Sequence, residues 1–283
     1  MKPIFALILS LLFLCALSKA QDPKADEEWS FAVVGDTHIP KSQVLKDMVP
    51  ELIKDKVSAI LFPGDIVHAG KAQIPRGLAN ELKTWNDVVA PLKDAGIKLL
   101  AVRGNHEADV RRDNLTPWLR NINKDLNFSF QYRGVTFIGI DNYVKGEKTV
   151  DVEWLEKEIA RHTNSLIIPF GHEALFSSST FHPTCLDGEK ETRNKVWDLF
   201  RKANIHYYFC GHAHQYNLSQ ISQGNYVLTQ VVSGGGGGTL HPKRQAKSDE
   251  GFLIKSLENH EEHGYTLVTV KNGKLHIRWK PLP

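Results

Sequence analysis

Five short apolar segments of this chain each end in a glycine that is followed by side chains able to bind metal ions. The five motifs are Gly35-Asp36-Thr37-His38, Gly64-Asp65, Gly104-Asn105-His106-Glu107, Gly171-His172 and Gly211-His212-Ala213-His214. The carboxyl ends of the strands in an open α/β sheet converge on one crevice, where ligands bind. The repeated order of apolar strand, glycine and ligand therefore predicts an α/β fold with its functional site at one edge of the strands.

Apolar and amphipathic stretches alternate around these motifs. The pattern predicts strands at 30–34, 59–62, 98–102, 128–132, 135–140, 165–170 and 206–210 and helices at 42–56, 77–95, 152–161 and 191–203. Pro50 is expected to kink or interrupt the first helix. The C-terminal third is β-prone at 226–232, 265–270 and 274–279, with a hairpin turn at Asn272-Gly273. We expect one domain over residues 29–283, with parallel strands first and antiparallel strands later.

The first twenty residues have the features of an export signal. Lys2 precedes an apolar run from residue 4 to residue 17, and Ser18 and Ala20 supply small residues at the cleavage site. The run is shorter than the roughly 20 residues that a membrane-spanning helix needs. We therefore predict a signal peptide cleaved near Ala20, a flexible leader at 21–28, and a secreted or periplasmic protein without a membrane anchor.

The net charge gives no indication of a polyanionic partner. The chain has 35 Lys+Arg against 32 Asp+Glu, and removal of residues 1–20 leaves 33 against 32, a net charge of +1. A protein this close to neutral is not expected to bind nucleic acid or an anionic membrane surface. The 13 histidines are the more informative number, because five of them fall within the motifs.

The donors in the motifs are carboxylate, amide and imidazole groups, which favour Mn, Fe or Zn over soft metals. A single carboxylate can bridge two ions about 3.5–4 Å apart, as in two-metal phosphoester hydrolases. Taken alone, a strand-end Asp is usually a helix N-cap, and Gly-Asn-His can be a simple turn. The five motifs together predict a centre of two divalent transition-metal ions.

In this order and spacing the motifs D-x-H, G-D, G-N-H-E, G-H and G-H-A-H resemble those of the calcineurin-like metallophosphoesterase superfamily, over about residues 30–240. The resemblance implies a four-layer α/β/β/α sandwich of two mixed β-sheets flanked by helices. It also implies two metal sites that share Asp65. The first would consist of Asp36, His38, Asp65 and His214, and the second of Asp65, Asn105, His172 and His212.

Two further positions are interpreted through the same resemblance. His106 is similar to the family's histidine that lies beside the metals without binding them and faces the substrate. Purple acid phosphatases carry a metal-binding tyrosine three residues after the bridging aspartate, where this chain has His68. Together with His38, this difference indicates the D-x-H branch, so a ferric–tyrosinate site is not expected. His68 is left without a role.

The resemblance implies hydrolysis of a phosphoester by in-line attack of a metal-bound hydroxide on phosphorus. His106 would protonate the leaving oxygen or hydrogen-bond the phosphate. A small phosphate monoester is the favoured substrate, because no strongly basic insert suggests a nucleic acid. One alternative is a phosphodiesterase acting on cyclic nucleotides or other small diesters. An alternative of another class is a non-catalytic, metal-containing binding protein on the same fold.

The sequence alone allows two interpretations for each of several further residues. His182 and Arg193 can contact a phosphate or belong to a solvated loop. The five glycines at 234–238 can bring backbone amides to a ligand or form a flexible loop. Cys185 and Cys210 can form a disulfide in an oxidising compartment or remain buried thiols. The sequence makes no prediction of oligomeric state.

Overall fold

The computed structural model describes residues 28–68, 77–108, 115–242 and 251–282. The predicted signal peptide and nearly all of the predicted leader lie outside these ranges. Within them, no helix is long and apolar enough to cross a membrane.

Strands and helices alternate along the described residues. The strands are β1 (Trp29–Val33), β2 (Ala59–Pro63), β3 (Lys98–Val102), β4 (Phe128–Tyr132), β5 (Val135–Gly139), β6 (Leu166–Phe170), β7 (Tyr207–Cys210), β8 (Tyr216–Gln223), β9 (Tyr226–Ser233), β10 (Leu253–His260), β11 (Gly264–Lys271) and β12 (Lys274–Pro281). The helices are α1 (Val44–Lys54), α2 (Gly77–Asp94), α3 (Leu115–Asn121), α4 (Val152–Ala160) and α5 (Lys190–Lys202).

The strands form two mixed sheets. The first has the order β12-β11-β1-β2-β3, and the second has the order β10-β8-β9-β7-β6-β5-β4. In the first sheet β1, β2 and β3 are parallel, and β11 pairs antiparallel with β1. In the second sheet β5, β6, β7 and β9 are parallel, with antiparallel strands outside them. The carboxyl ends of the parallel strands carry all five motifs.

Three apolar clusters hold the layers together. Between the sheets, Phe31 packs edge-to-face on Phe137 and Phe209, with ring centroids 5.1 and 5.8 Å away. Neighbouring residues in a strand point to opposite faces, so Ala32 instead faces α1, α2 and α3 on the outside of the first sheet. Helices α4 and α5 cover the outside of the second sheet. The predicted four-layer α/β/β/α sandwich is confirmed.

The strands and helices predicted from the apolar pattern are present, with ends shifted by one or two residues. Both glycine turns, Arg133-Gly134 and Asn272-Gly273, have the positive φ angles that tight hairpins require. Of the kink or interruption expected at Pro50, the interruption is absent, because α1 continues through this residue. The buried face of α1 packs on the first sheet, and this packing outweighs the loss of one backbone hydrogen bond.

Candidate metal centre

The structure brings the seven predicted ligands and His106 together where loops from both sheets meet. They follow strand ends: Asp36 and His38 follow β1, Asp65 follows β2, Asn105 and His106 follow β3, His172 follows β6, and His212 and His214 follow β7. Parallel strands place their carboxyl ends at the same edge, so residues far apart in sequence converge.

The first cluster consists of Asp36, His38, Asp65 and His214. One donor atom from each lies within 4.8 Å of every other. His214 Nε2 is 3.1 Å from His38 Nε2 and 3.6 Å from the Asp36 carboxylate. Four donors this close, two of them carboxylates, form a group that a single ion could occupy.

The second cluster consists of Asp65, Asn105, His172 and His212. His172 Nε2 is 3.0 Å from both Asn105 Oδ1 and His212 Nδ1. Asp65 Oδ2 lies 3.6 Å from His172 Nε2 and 3.9 Å from His38 Nε2 in the other cluster. Asp65 therefore stands between the two groups, as a bridging carboxylate must.

Backbone carbonyls fix the proton position on one histidine of each cluster. His172 Nδ1 donates to Pro63 O at 2.9 Å, and His214 Nδ1 donates to Thr239 O at 2.8 Å. In a neutral imidazole the other nitrogen is then an acceptor, so both Nε2 lone pairs point into the clusters. There they converge at 3.0–3.1 Å on the His38 ring, the Asn105 amide oxygen and the His212 ring, close enough to share an ion. The donors present therefore fit two divalent ions.

Burial favours the neutral form of three histidines in these clusters, His38, His212 and His214. Desolvation lowers the pKa of His38 to about 4 and that of His214 to about 3. Desolvation also lowers the pKa of His212 well below its ordinary value, with nearby His172 adding to the effect. A metal binds the neutral imidazole, so these side chains are already in the protonation state that binding requires.

The pKa values of the two buried carboxyl groups, Asp36 and Asp65, shift in opposite directions. Burial and the negative charge of Asp65 raise the pKa of Asp36 well above its ordinary value. Burial alone would also raise the pKa of Asp65, but His172, His106 and His38 around it bring that pKa below its ordinary value. Two positive ions would favour the charged form of both carboxylates.

The backbone of the centre is unusual. Asp36, His38, Asp65 and His212 have φ angles of 60°, 48°, 49° and 67°. For residues other than glycine this left-handed region costs roughly 1–2 kcal/mol each. Hydrogen bonds hold the conformation: the backbone N–H of His212 donates to Asp36 Oδ2 at 2.9 Å, and that of His38 donates to Asp65 O at 3.1 Å.

Glu107 has a role that sequence reasoning did not assign. Its buried carboxylate accepts backbone N–H groups from Asp65 at 3.0 Å, Val67 at 3.0 Å and Gly104 at 2.7 Å. Burial and the charge of Asp65 raise the pKa of Glu107 to about 8, while these three donors oppose the rise. Glu107 thus joins the loop after β2 to the loop after β3. Glu107 is the last residue of the G-N-H-E motif, so the sequence contained a signal for it. Its hydrogen-bond partners Asp65 and Val67 are brought to it by the tertiary fold.

Glu173 was also missed. It is buried directly after His172, and it accepts a hydrogen bond of 2.6 Å from the Tyr143 hydroxyl. Its Oε1 is 3.8 Å from His212 Nε2, on the side of the ring away from the second cluster. A carboxylate behind a ligand imidazole orients the ring and increases its basicity.

The glycine run at 234–238 packs against the first cluster. The amide of Gly236 donates to Gly35 O at 3.0 Å, and that of Gly238 donates to Asp36 O at 2.9 Å. A Cβ on Gly236 would overlap the Gly35 carbonyl, and one on Gly238 would overlap the His214 ring. These two amides neither face a ligand nor belong to a flexible loop, which were the two interpretations from sequence. They donate to the protein's own backbone and fix the loop.

His182 and Arg193, which had two interpretations from sequence, occupy different environments in the structure. The His182 ring lies 3.9 Å from the His212 ring, so His182 belongs to the site. Arg193 does not belong to it, and its interpretation as a phosphate contact is wrong. Its side chain is fully buried in α5, with the guanidinium 4.8 and 4.9 Å from the Phe176 and Phe252 rings.

His68 and the two cysteines complete the surroundings. His68 Nδ1 is 3.4 Å from His38 Nδ1, on the opposite side of that ring from the first cluster. Cys185 and Cys210 are buried free thiols, and burial raises the pKa of both. The structure therefore agrees with the thiol interpretation and not with the disulfide.

The sequence profile of the calcineurin-like phosphoesterases matches residues 30–216. The chain therefore belongs to the calcineurin-like phosphoesterase family. Its clusters of carboxylate, amide and imidazole donors are of the kind that two-metal phosphoester hydrolases use. No curated protein is significantly similar to it in sequence.

Solved structures show the same fold at low identity. A purple acid phosphatase from yellow lupin (Lupinus luteus) has a TM-score of 0.71 and 16% identity, over 92% of this chain and 52% of that one. A dimetal phosphatase from Danio rerio has a TM-score of 0.62 and 12% identity, over 90% and 96%. GAP50, the anchor in the inner membrane complex of Plasmodium, has a TM-score of 0.64 and 16% identity. The match covers 89% of this chain and 84% of GAP50. This chain spans about half the length of the lupin protein.

Proposed function

We propose that this protein is a secreted phosphoesterase with a dinuclear metal centre that hydrolyses small phosphate monoesters. The observation that carries the proposal is the pair of donor clusters sharing Asp65, with the Nε2 atoms of His172 and His214 directed into them. The donor atoms of this set converge as metal ligands do.

In this proposal one ion is held by Asp36, His38, Asp65 and His214, and the other by Asp65, Asn105, His172 and His212. The ions are Mn, Fe or Zn, which suit mixed oxygen and imidazole donors. When bound, two such ions neutralise charge on a phosphoryl group and make water a better nucleophile. The protein fixes their positions through Glu107 and Glu173, which hold the ligand-bearing loops and the His212 ring.

His106 is the proposed proton donor to the leaving oxygen. Its backbone N–H donates to Asp65 Oδ1 at 2.9 Å, which fixes the residue beside the bridging carboxylate. Its Nε2 is 3.8 Å from Asp65 Oδ2, and its side chain keeps 19% exposure towards the cleft. A histidine that faces the cleft without joining either cluster can hold a proton for an alcohol leaving group.

A cleft cavity beside the first cluster supports a small monoester as substrate. Its volume is about 580 Å³, and its wall includes His38, His106, His214, Lys41, Phe181 and His241. A phosphate monoester carries close to two negative charges at neutral pH, and the cationic residue Lys41 lines the same cavity as His106. A diester carries one charge and has less need of this cation.

Two other functions remain outcomes of the test. One is hydrolysis of cyclic nucleotides or other small diesters. The other is a non-catalytic metal-containing binding protein. GAP50 is described as an anchor, and this chain shares its fold. The complete donor clusters favour hydrolysis here.

The test uses the mature protein, stripped of metal and reloaded separately with Mn, Zn or Fe. Turnover of p-nitrophenyl phosphate is compared with that of its bis-ester, a cyclic nucleotide and a nucleoside diphosphate. We expect the monoester to have the highest kcat/KM. Preference for the bis-ester would identify a diesterase, and no turnover in a fully metallated sample would identify a binding protein. N-terminal sequencing of the exported protein, with Gln21 expected first, tests secretion.

A further inference from the structure

Phe181 is the larger of two apolar side chains, with Val44, on the mostly polar wall of the cleft cavity. The cavity has the size of a small-molecule site, and it is open beside His38, His106 and His214. Phe181 is 67% exposed, the largest exposed fraction among the exposed large hydrophobic residues of the described chain. A single exposed apolar residue needs no explanation by itself, but this one stands in the cavity that contacts the metal centre.

One face of the Phe181 ring is covered by a stack of rings. The ring lies on His241 at a centroid distance of 4.5 Å and an interplanar angle of 22°. His241 lies in turn on the first-cluster histidine His214, at 4.1 Å and 13°. The stack therefore begins at the metal centre and ends at Phe181. The high exposure of Phe181 means that the end of the stack is open to a further planar group.

A second contact route leads from Phe181 to the other cluster. The Phe181 ring is 5.1 Å from the His182 ring, and His182 is 3.9 Å from the second-cluster ligand His212. Phe181 is thus separated by one ring from a histidine of each cluster. A phosphoryl group bound at the two clusters would place its alcohol portion within reach of Phe181.

The loop that carries Phe181 is fixed before any ligand binds. The backbone N–H of Phe181 donates to Ser179 Oγ at 3.1 Å, and that of Thr180 donates to Pro242 O at 3.3 Å. The Ser177 hydroxyl donates to the His182 carbonyl. An aromatic ring held in place offers contact area at a low entropic cost.

We propose that Phe181 is a stacking surface for a planar aromatic group on the alcohol side of the substrate. The substrate class of the proposed phosphoesterase is then aryl or nucleoside monophosphates in preference to aliphatic phosphate esters. This inference rests on the proposed function for its catalytic consequence, but the stacking itself is a binding property. Stacking of a base on an aromatic side chain changes binding by roughly 5- to 100-fold when the side chain is truncated.

The binding test uses compounds that cannot be hydrolysed at the phosphorus–carbon bond. Phenylphosphonate and methylphosphonate share a phosphoryl head and differ in the planar group. Calorimetry on the metal-loaded protein is expected to show tighter binding of phenylphosphonate. Phe181→Ala should remove most of that preference, by roughly 5-fold or more, and Phe181→Trp should keep it. Leu253→Ala, which truncates another exposed hydrophobic residue, is the matched control and should change nothing.

The kinetic test compares phenyl phosphate, adenosine 5′-monophosphate and glycerol phosphate in the same variants. Phe181→Ala should raise KM for the first two and leave the third within about 2-fold. A larger effect on the adenosine ester points to nucleosides, and a larger effect on phenyl phosphate points to simple aryl esters. Equal changes for all three, or none, would overturn the inference while leaving the phosphoesterase intact. Phosphonate discrimination without turnover of any ester would retain the inference and reject the hydrolase.

Discussion

His172 Nε2 lies 3.0 Å from Asn105 Oδ1, and in neutral His172 neither atom carries a proton for the other. The Pro63 carbonyl fixes the imidazole proton on Nδ1, and an amide oxygen only accepts. A cation between these two acceptors would stabilise the contact, and in the first cluster His214 Nε2 similarly lies 3.6 Å from the Asp36 carboxylate. The stability of the protein should therefore depend on metal.

The first prediction concerns metal removal. Treatment with a chelator should lower Tm, and addition of Mn or Zn should restore it, because the ions bind only the folded arrangement of donors. Binding at 1,000 times Kd adds about 4 kcal/mol to the free energy of unfolding. Scanning calorimetry with and without chelator measures this difference. An unchanged Tm, with no metal found by elemental analysis, would contradict the proposed centre.

The second prediction separates the bridging ligand from a ligand of one cluster. Asp65→Asn removes a carboxylate that both clusters share, so metal content should fall from two ions per chain towards none. Asn105→Ala removes a donor from the second cluster alone, so about one ion should remain. Elemental analysis after dialysis gives the stoichiometry. Asp198→Asn on the exposed face of α5 serves as the control, and equal metal loss in the first two variants would argue against bridging by Asp65.

The third prediction concerns His106. His106→Ala should retain both ions and lower kcat by roughly 10²–10⁴-fold, because the residue lies outside both clusters and donates a proton. The loss should be greater for an alkyl ester than for p-nitrophenyl phosphate, whose leaving group needs less protonation. His276→Ala, at an exposed position of β12, is the matched variant. Full activity of His106→Ala on alkyl esters would contradict the assignment of His106 as the proton donor.

The fourth prediction concerns Glu107. In Glu107→Gln an NH₂ group must face at least one of the three backbone N–H groups that the carboxylate now accepts. The free energy of unfolding should fall by about 1–3 kcal/mol, and metal affinity should fall by roughly 10–100-fold. Chemical denaturation and metal titration measure the two effects. Glu156→Gln on the exposed side of α4 should show neither, and wild-type behaviour of Glu107→Gln would mean that these hydrogen bonds do not position the loops.

The fifth prediction uses a glycine. Gly238→Ala places a methyl group against the His214 ring, so His214 must move and the first ion should bind at least about 10-fold more weakly. Gly224→Ala is a demanding control, because its φ of +60° strains an alanine although no atom lies within 4 Å of the new methyl group. Metal titration of both variants separates general destabilisation from displacement of the ligand. Equal metal affinities of the Gly238→Ala and Gly224→Ala variants would show that a glycine is not required at position 238.

The sequence predicted what depends on local pattern. Apolar runs such as the one before Gly35 fix the parallel strands, and the strand order then brings Asp36 and Asp65 to one edge. Strands β8 and β10 were missed because both are rich in polar residues and lie at one side of the second sheet, with β10 at its edge. Helix α3 was missed because it has only seven residues, of which Trp118 is buried.

Other features depend on contacts that no local pattern records. The roles of Glu107 and Glu173 depend on partners that lie 30 to 42 residues away in the chain, namely Asp65, Val67 and Tyr143. Arg193 was placed at the cleft because the stretch 181–193 follows the predicted ligand His172 in the chain. It is buried instead, because its position on α5 faces Phe176 and Phe252. The positive φ angles of the ligand-bearing loops likewise follow from the fold as a whole.

The pairing of β1 with β11 sets the order in which this protein can be assembled. β1 leads directly into Asp36 and His38, and one of its two edges is completed by a strand that begins at Gly264. A chain emerging from the ribosome therefore cannot complete this edge of β1 until β11, Gly264–Lys271, has been made. We expect the metal centre to mature only after β11 has paired with β1. The ions would then come from the compartment where folding ends, whatever metals are present where synthesis begins.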